Sequence, residues 1–146
     1  MRAIARIDIK NNFVIKGINL EGLRKVGNPL ELITKYYKEG IDEIIISDSV
    51  ASLYGRNNLF SFIKEITREV FIPITLGGGI RSLFDIEKAL NSGADKVSIN
   101  SKALDDPKFL KEASDKFGSS TIIASVEAKK INENKWEPYK FCGREK

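Results

Sequence analysis

Histidine is absent from the 146 residues, and cysteine occurs once, at Cys142. These counts exclude Ser-His and Cys-His triads and the usual zinc sites. Acid–base chemistry therefore falls to carboxylates, Lys, Tyr or the single thiol. Short apolar runs each close on a polar residue or glycine: Asp8, Asp48, Gly77, Asn100 and Glu127. If the runs are parallel strands, these residues gather at one end of a sheet. After Phe71–Leu76, the triplet Gly77-Gly78-Gly79 leads to Ser82, with Asp85 three residues on. A strand, a glycine loop and a capped helix bring bare backbone N–H groups to a phosphate. The same triplet also suits a tight turn.

The elements that must position these residues alternate in type. Ala3–Asp8 reads as a strand, and Ile9–Lys16 as a small hairpin about Asn11-Asn12, since Asn tolerates positive φ. Gly17–Val26 reads as loop. Asn28-Pro29-Leu30-Glu31 opens a helix, with Asn as cap and Pro at the first helical position. Leu30, Ile33 and Tyr37 give its inner face, and Gly40 stops it. Glu43–Asp48 is a second strand, apolar without alternation, as in a parallel strand covered on both sides. A loop over 49–58 precedes a helix marked by Leu59, Phe62, Ile66 and Val70. Phe71–Leu76 is the third strand, followed by a helix from Leu83 to Asn91. Lys96–Asn100 is the fourth strand. Asp106-Pro107 starts a further helix with Phe109, Leu110, Ala113 and Phe117 inside. Thr121–Glu127 is the fifth strand, and Ile131–Trp136 a second hairpin.

The order β-α-β-α-β-α-β-α-β fits either an open doubly wound sheet or part of a (β/α)₈ barrel. A full barrel takes about 250 residues. Two features favour the barrel: no Gly-x-Gly-x-x-Gly follows the first strand, and the strand-end residues all point to one mouth. The predicted fold is therefore α/β, a partial (β/α)₈ TIM barrel with strands 1–5 and helices 1–4. The expected domain is 1–146, the N-terminal part of such a barrel.

Lys+Arg total 24 against 20 Asp+Glu, a net charge of +4. The basic residues are scattered among acidic ones, so no nucleic-acid surface is implied. The N-terminus is too charged for a signal peptide, and no apolar run spans a membrane. With no disulfide available, a reducing compartment is the default. A cytoplasmic protein is expected.

The segments Asp8-Ile9-Lys10, Val14-Ile15-Lys16-Gly17, Gly40-Ile41-Asp42-Glu43, Gly77-Gly78-Gly79-Ile80 and Gly93–Asn100 resemble the cyclase subunit of imidazole glycerol phosphate synthase. The likeness runs from Arg2 to Lys146. It implies a (β/α)₈ lyase that takes ammonia from a partner glutaminase in a heterodimer. The ammonia joins a ribulosyl-formimino nucleotide, releasing imidazole glycerol phosphate and an aminoimidazole carboxamide ribonucleotide. This is a step of histidine biosynthesis. No cofactor is implied.

By this resemblance Asp8 and Glu127 are the catalytic pair, Glu127 standing where the family has a second Asp. Lys16 belongs to a mobile loop over the substrate. Gly78, Gly79, Asn100 and Ser101 bind phosphate. Asp48 either orients substrate or makes a structural hydrogen bond. Arg2, Glu43 and Lys96 form a charged ring at the opposite end that gates ammonia, and Asp95 meets the glutaminase. The segments 47–58 and Ser125-Val126-Glu127 lean toward relatives that pass ammonia to a sugar in surface-polysaccharide pathways. A non-catalytic half-barrel that only binds or assembles is the alternative of another class. Strands six to eight and the second phosphate site are not among these residues. A chain of this extent is expected to be poorly stable alone or to pair with a second chain completing the barrel.

Overall fold

The computed structural model describes residues 1–18, 21–49, 51, 59–141, 143 and 145. Cys142 and, apart from residues 49 and 51, the loop expected over 49–58 lie outside them. Among these residues, nine strands and five helices follow in this order: β1 (Ile4–Lys10), β2 (Phe13–Ile18), β3 (Glu21–Gly27), α1 (Pro29–Lys38), β4 (Glu43–Asp48), α2 (Leu59–Ile66), β5 (Ile74–Gly77), α3 (Leu83–Asn91), β6 (Lys96–Ile99), α4 (Ser101–Asp105), α5 (Lys108–Phe117), β7 (Ile122–Ala124), β8 (Glu127–Asn132) and β9 (Lys135–Tyr139). One sheet has the order β3-β2-β1-β4-β5-β6-β7, and β8-β9 form a separate ribbon. Strands β1, β4, β5, β6 and β7 are parallel. The described residues therefore form the α/β arrangement of a partial (β/α)₈ barrel, with five parallel strands and alternating helices. None of their helices is long and apolar enough to cross a membrane.

The helices begin where their side chains supply the missing acceptors. Oδ1 of Asn28 accepts from the Leu30 and Glu31 amides, with Pro29 leading α1. Oγ of Ser82 accepts from the Asp85 amide while Asp85 Oδ2 accepts from the Ser82 amide, a reciprocal capping box. Ile33 of α1, Ile63 and Ile66 of α2, Ile86 and Ala89 of α3, and Phe109 and Ala113 of α5 are buried. They join Ile7, Ile9, Ile44, Ile46, Ile74, Leu76, Val97 and Ile99 of the sheet in one core. Alternate residues of β1, β4, β5 and β6 thus face the helices. The residues between them face the other way.

Several expectations shift. The stretch 17–26 is not simply loop, because β3 pairs antiparallel with β2 and extends the first hairpin. Lys16 accordingly lies on a strand, opposite Arg24. Asn11 takes the turn with φ 56. The third parallel strand starts at Ile74, not Phe71; Phe71 is 77% exposed and Pro73 has no N–H for the ladder. Strand β4 is not equally covered on both sides, since Ile45 is only half-buried while Ile44 and Ile46 are fully so. A short helix, α4, follows β6 directly. The largest change is at the fifth parallel strand. It stops at Ala124, and Glu127 opens the β8–β9 ribbon instead of closing β7. Glu127 pairs with Tyr139, so its backbone belongs to the ribbon.

Leu76 is fully buried at the centre of the core. Leu76→Ala is expected to lower stability by about 3 kcal/mol. The check is a shift of the urea unfolding midpoint with an unchanged slope.

Candidate functional site

The parallel register lines up the residues that face away from the helices. Asp8 pairs with Ser47, Ser47 with Gly77, and Gly77 with Ser98. One row below, Arg6 pairs with Ile45, Ile45 with Thr75, and Thr75 with Lys96. This face therefore carries Asp8, Ser47 and Ser98 in one row and Arg6, Thr75 and Lys96 in the next, with Gly77 and Ile45 between them. Two clefts open along it. One, of about 320 Å³, is lined by Ser47, Asp48, Gly77–Ile80, Ser98, Asn100, Ser101 and Lys102, with Arg6 and Glu127 at its edge. The other, of about 370 Å³, holds Asp8 and Lys16, again with Arg6 and Glu127.

Asp8 and Glu127 line the same cleft although β4, β5 and β6 stand between β1 and β7. Glu127 reaches this cleft on the β8–β9 ribbon, outside the parallel sheet. Burial pushes the Glu127 carboxyl above its ordinary value, and the negative charge of Asp8 adds to this. Arg6 and a hydrogen bond from the Gly143 backbone pull in the other direction without overcoming it. Among the described residues, Oε2 of Glu127 is buried and has no hydrogen-bond partner. A carboxyl raised in the folded state contributes stability below its unfolded titration, and that contribution is lost as pH rises through the folded one.

The glycine loop is shaped by contact as well as by the turn. Gly78 has φ +91, and a Cβ there would lie 2.3 Å from the Asp48 carbonyl oxygen. Only glycine allows β5 to pass so close to the end of β4. The first turn of α3 is closed on itself. The Arg81 and Ser82 amides both donate to Asp85 Oδ2, and the Asp85 amide donates to Ser82. That helix start is not an open anion seat; the loop faces the cleft through Gly77–Ile80 instead. Asn100 does not cap α4 with its side chain. Its amide donates to the Ser125 carbonyl at 2.9 Å, tying β6 to the crossing from β7 to β8. Ser101 Oγ accepts from the Phe141 amide. Asp48 Oδ1 accepts from the Ala51 amide, so the structural hydrogen bond expected of it is present.

At the other end of the strands Arg2, Glu43 and Lys96 converge. Lys96 Nζ is 2.8 Å from both oxygens of Glu43, Thr75 Oγ1 donates to it at 3.1 Å, and Arg2 lies 3.6 Å away. Glu43 is only 2% exposed. Burial alone would raise its carboxyl, but the hydrogen bonds from Lys96 and Thr75 and the charges of Lys96 and Arg2 hold it below the usual range. Asp95 is exposed and accepts from the Ile74 amide at 2.8 Å. Asp42 does the same for the Ala3 amide.

Sequence reasoning passed over Arg6 and Thr75. Arg6 Nε donates to Asp8 Oδ1 at 3.0 Å, and Thr75 sits in the row of Lys96. The available signal was parity. Arg6 is two residues before Asp8, and alternate residues of a strand share a face.

Over residues 2–142 the chain matches the family described as histidine biosynthesis protein. It is 51% identical over 145 residues to the imidazole glycerol phosphate synthase subunit HisF of Legionella pneumophila, covering 99% of this chain and 68% of that protein. It is 43% identical over 143 residues to the protein of the same name from Helicobacter hepaticus, covering 98% of this chain and 57% of that one.

A folded-state carboxyl held below its unfolded value stabilises the fold above the unfolded titration and loses that contribution as pH falls through the folded one. Acid is therefore expected to weaken the Glu43 cluster. Lys96→Met should cost about 3 kcal/mol at neutral pH, because it leaves a buried charge without its main partner. The deficit should shrink as acid protonates Glu43. Urea unfolding at a series of pH values measures both effects.

Proposed function

This chain belongs to the histidine biosynthesis protein family, and from that premise we propose that it is a cytoplasmic cyclase-type lyase using glutamine-derived ammonia. In this reading residues 1–146 are the N-terminal part of an eight-stranded barrel. The substrate is a ribulosyl-formimino nucleotide. The products are imidazole glycerol phosphate and an aminoimidazole carboxamide ribonucleotide. The names and high identity of the two relatives support the reaction class. The observation that carries the site is the cleft shared by Asp8 and Glu127.

Ring closure after ammonia addition removes protons from nitrogen and delivers one to the departing group. Two carboxyl groups on one cleft can divide this work when their surroundings differ. Glu127 is half-buried, and burial raises its carboxyl above the ordinary value, so it is given the acid role. Asp8 serves as the base. The cleft of Gly78, Gly79 and Ser101 receives one phosphate of the substrate, offering loop backbone and a hydroxyl. Asn100 supports that cleft by holding the Ser125 carbonyl. Lys16, exposed on β2 at the rim of the Asp8 cleft, closes over the substrate. Asp48 anchors the turn behind the glycine loop.

Ammonia enters from the opposite end, where Arg2, Glu43 and Lys96 form the gate and Asp95 faces the glutaminase. The reading is supported by the way these charges are held. Each cation of the cluster leans on one buried carboxylate, so moving Lys96 or Arg2 changes what occupies that end.

The test is turnover of the ribulosyl nucleotide with ammonium as nitrogen source, measured with the chain alone and with the remaining strands supplied as a second chain. Asp8→Asn and Glu127→Gln are each expected to lower kcat by roughly 10²–10⁴-fold with smaller changes in KM. Absence of turnover under both conditions, with a folded protein, would overturn the proposal.

A further inference from the structure

Strand β5 carries no side chain at Gly77, which lies between Ser47 of β4 and Ser98 of β6. A Cβ at Gly77 would lie 3.6 Å from Ser98 Oγ and 3.7 Å from Ser47 Oγ, so both hydroxyls border the empty place. All three residues line the same cleft as Gly78, Gly79 and Ser101. Ser47 and Ser98 are half-buried, and neither hydroxyl has a partner among the described residues. Their neighbours are committed. Ser101 Oγ donates to Asn100 Oδ1 and accepts from the Phe141 amide, while the Asn100 amide donates to the Ser125 carbonyl. We infer that Ser47, Gly77 and Ser98 form a hydroxyl-recognising subsite, in which the two serines hold a hydroxyl that a sugar-type chain carries beside its phosphate ester. The inference rests on the reading of Gly78, Gly79 and Ser101 as phosphate contacts.

The ladder sets the depth of this subsite. A strand rises about 3.3 Å per residue, so Gly77 lies one step deeper along β5 than Gly78. A ligand whose phosphate meets the glycine loop lays the next part of its chain over Gly77. Gly77 is outside the left-handed region that Gly78 and Gly79 occupy, so the backbone does not demand glycine there. What the missing side chain supplies is room. A serine hydroxyl both donates and accepts, so a pair of them suits a neutral hydroxyl, which does the same. A second anion would meet Asp8 in the same row and Asp48 and Glu127 along the cleft, while Arg6 at the edge is already bonded to Asp8. An alkyl group in this place would cut two hydroxyls off from water without giving them partners, which is the costly case.

The experiment compares two esters by phosphorus NMR titration of the full chain: α-glycerophosphate, and n-propyl phosphate, the same carbon chain without hydroxyls. The unaltered chain is expected to bind α-glycerophosphate roughly tenfold more tightly. Ser47→Ala and Ser98→Ala should each reduce that preference about threefold, with binding of n-propyl phosphate unchanged. Gly77→Ala fills the place, with its Cβ 3.3 Å from that of Ser98, and should abolish the preference. Equal affinity for the two esters in the unaltered chain overturns the inference and leaves the phosphate contacts standing. A preference that survives all three substitutions overturns it too, as does an equal loss of both esters in the serine variants. If neither ester binds the unaltered chain, the phosphate reading falls and the inference with it. Circular dichroism establishes that each variant is folded, and should Gly77→Ala fail to fold, the serine variants decide. No arm needs turnover, so the proposed reaction is judged separately.

Discussion

Four parallel strands run in register from Arg6 and Asp8 through β4 and β5 to Lys96 and Ser98, and the rest of the structure depends on this alignment. Side chains alternate along a strand with period two, so a register shift of one residue would turn every core side chain outward. Ile7, Ile44, Ile46, Leu76, Val97 and Ile99 meet the helices only because the ladder keeps step. The polar rows on the opposite face are the other half of the same constraint. The core therefore dictates which residues reach the clefts.

The two ends of the polar face solve different electrostatic problems. At the strand starts a nearly inaccessible carboxylate, Glu43, is held charged by Lys96, Thr75 and Arg2. Removing two charges from water is costly, and close hydrogen bonds are needed to offset it. At the other end Glu127 is half-buried without such a set, and burial raises its carboxyl above the ordinary value. One fold thus lowers a carboxyl at one end and raises another at the opposite end. The difference lies in the cations that reach each group.

The crossing from β7 to the β8–β9 ribbon is where local rules give way to contact. Asn100 donates to the Ser125 carbonyl, Ser101 accepts from the Phe141 amide, and Lys140 reaches Asp105 at 2.6 Å. These bonds seat the ribbon against the end of β6. They place Glu127 over the clefts although it no longer belongs to the parallel sheet. The polar residues after β6 thus serve as supports for the site, as well as being candidates for its ligand contacts.

The sequence by itself determined the elements whose signals are local. Asn28-Pro29 and Ser82-x-x-Asp85 specify helix starts because their side chains satisfy the first backbone amides. Asn11-Asn12 marks a turn, and the apolar runs mark strands. Gly77 and Asn100 were legible as the ends of their strands, whereas Asp8 falls inside β1 and Glu127 opens the ribbon. What only the tertiary structure decided is which of them meet. Parity on a strand is a weak clue until the register is known, so Arg6 and Thr75 stayed hidden. The loss of parallel pairing beyond Ala124 depends on the Ser125 and Phe141 contacts, which no neighbouring residue announces. The meeting of Glu127 with Asp8 in one cleft joins a ribbon residue to one on β1, more than a hundred residues apart in the chain.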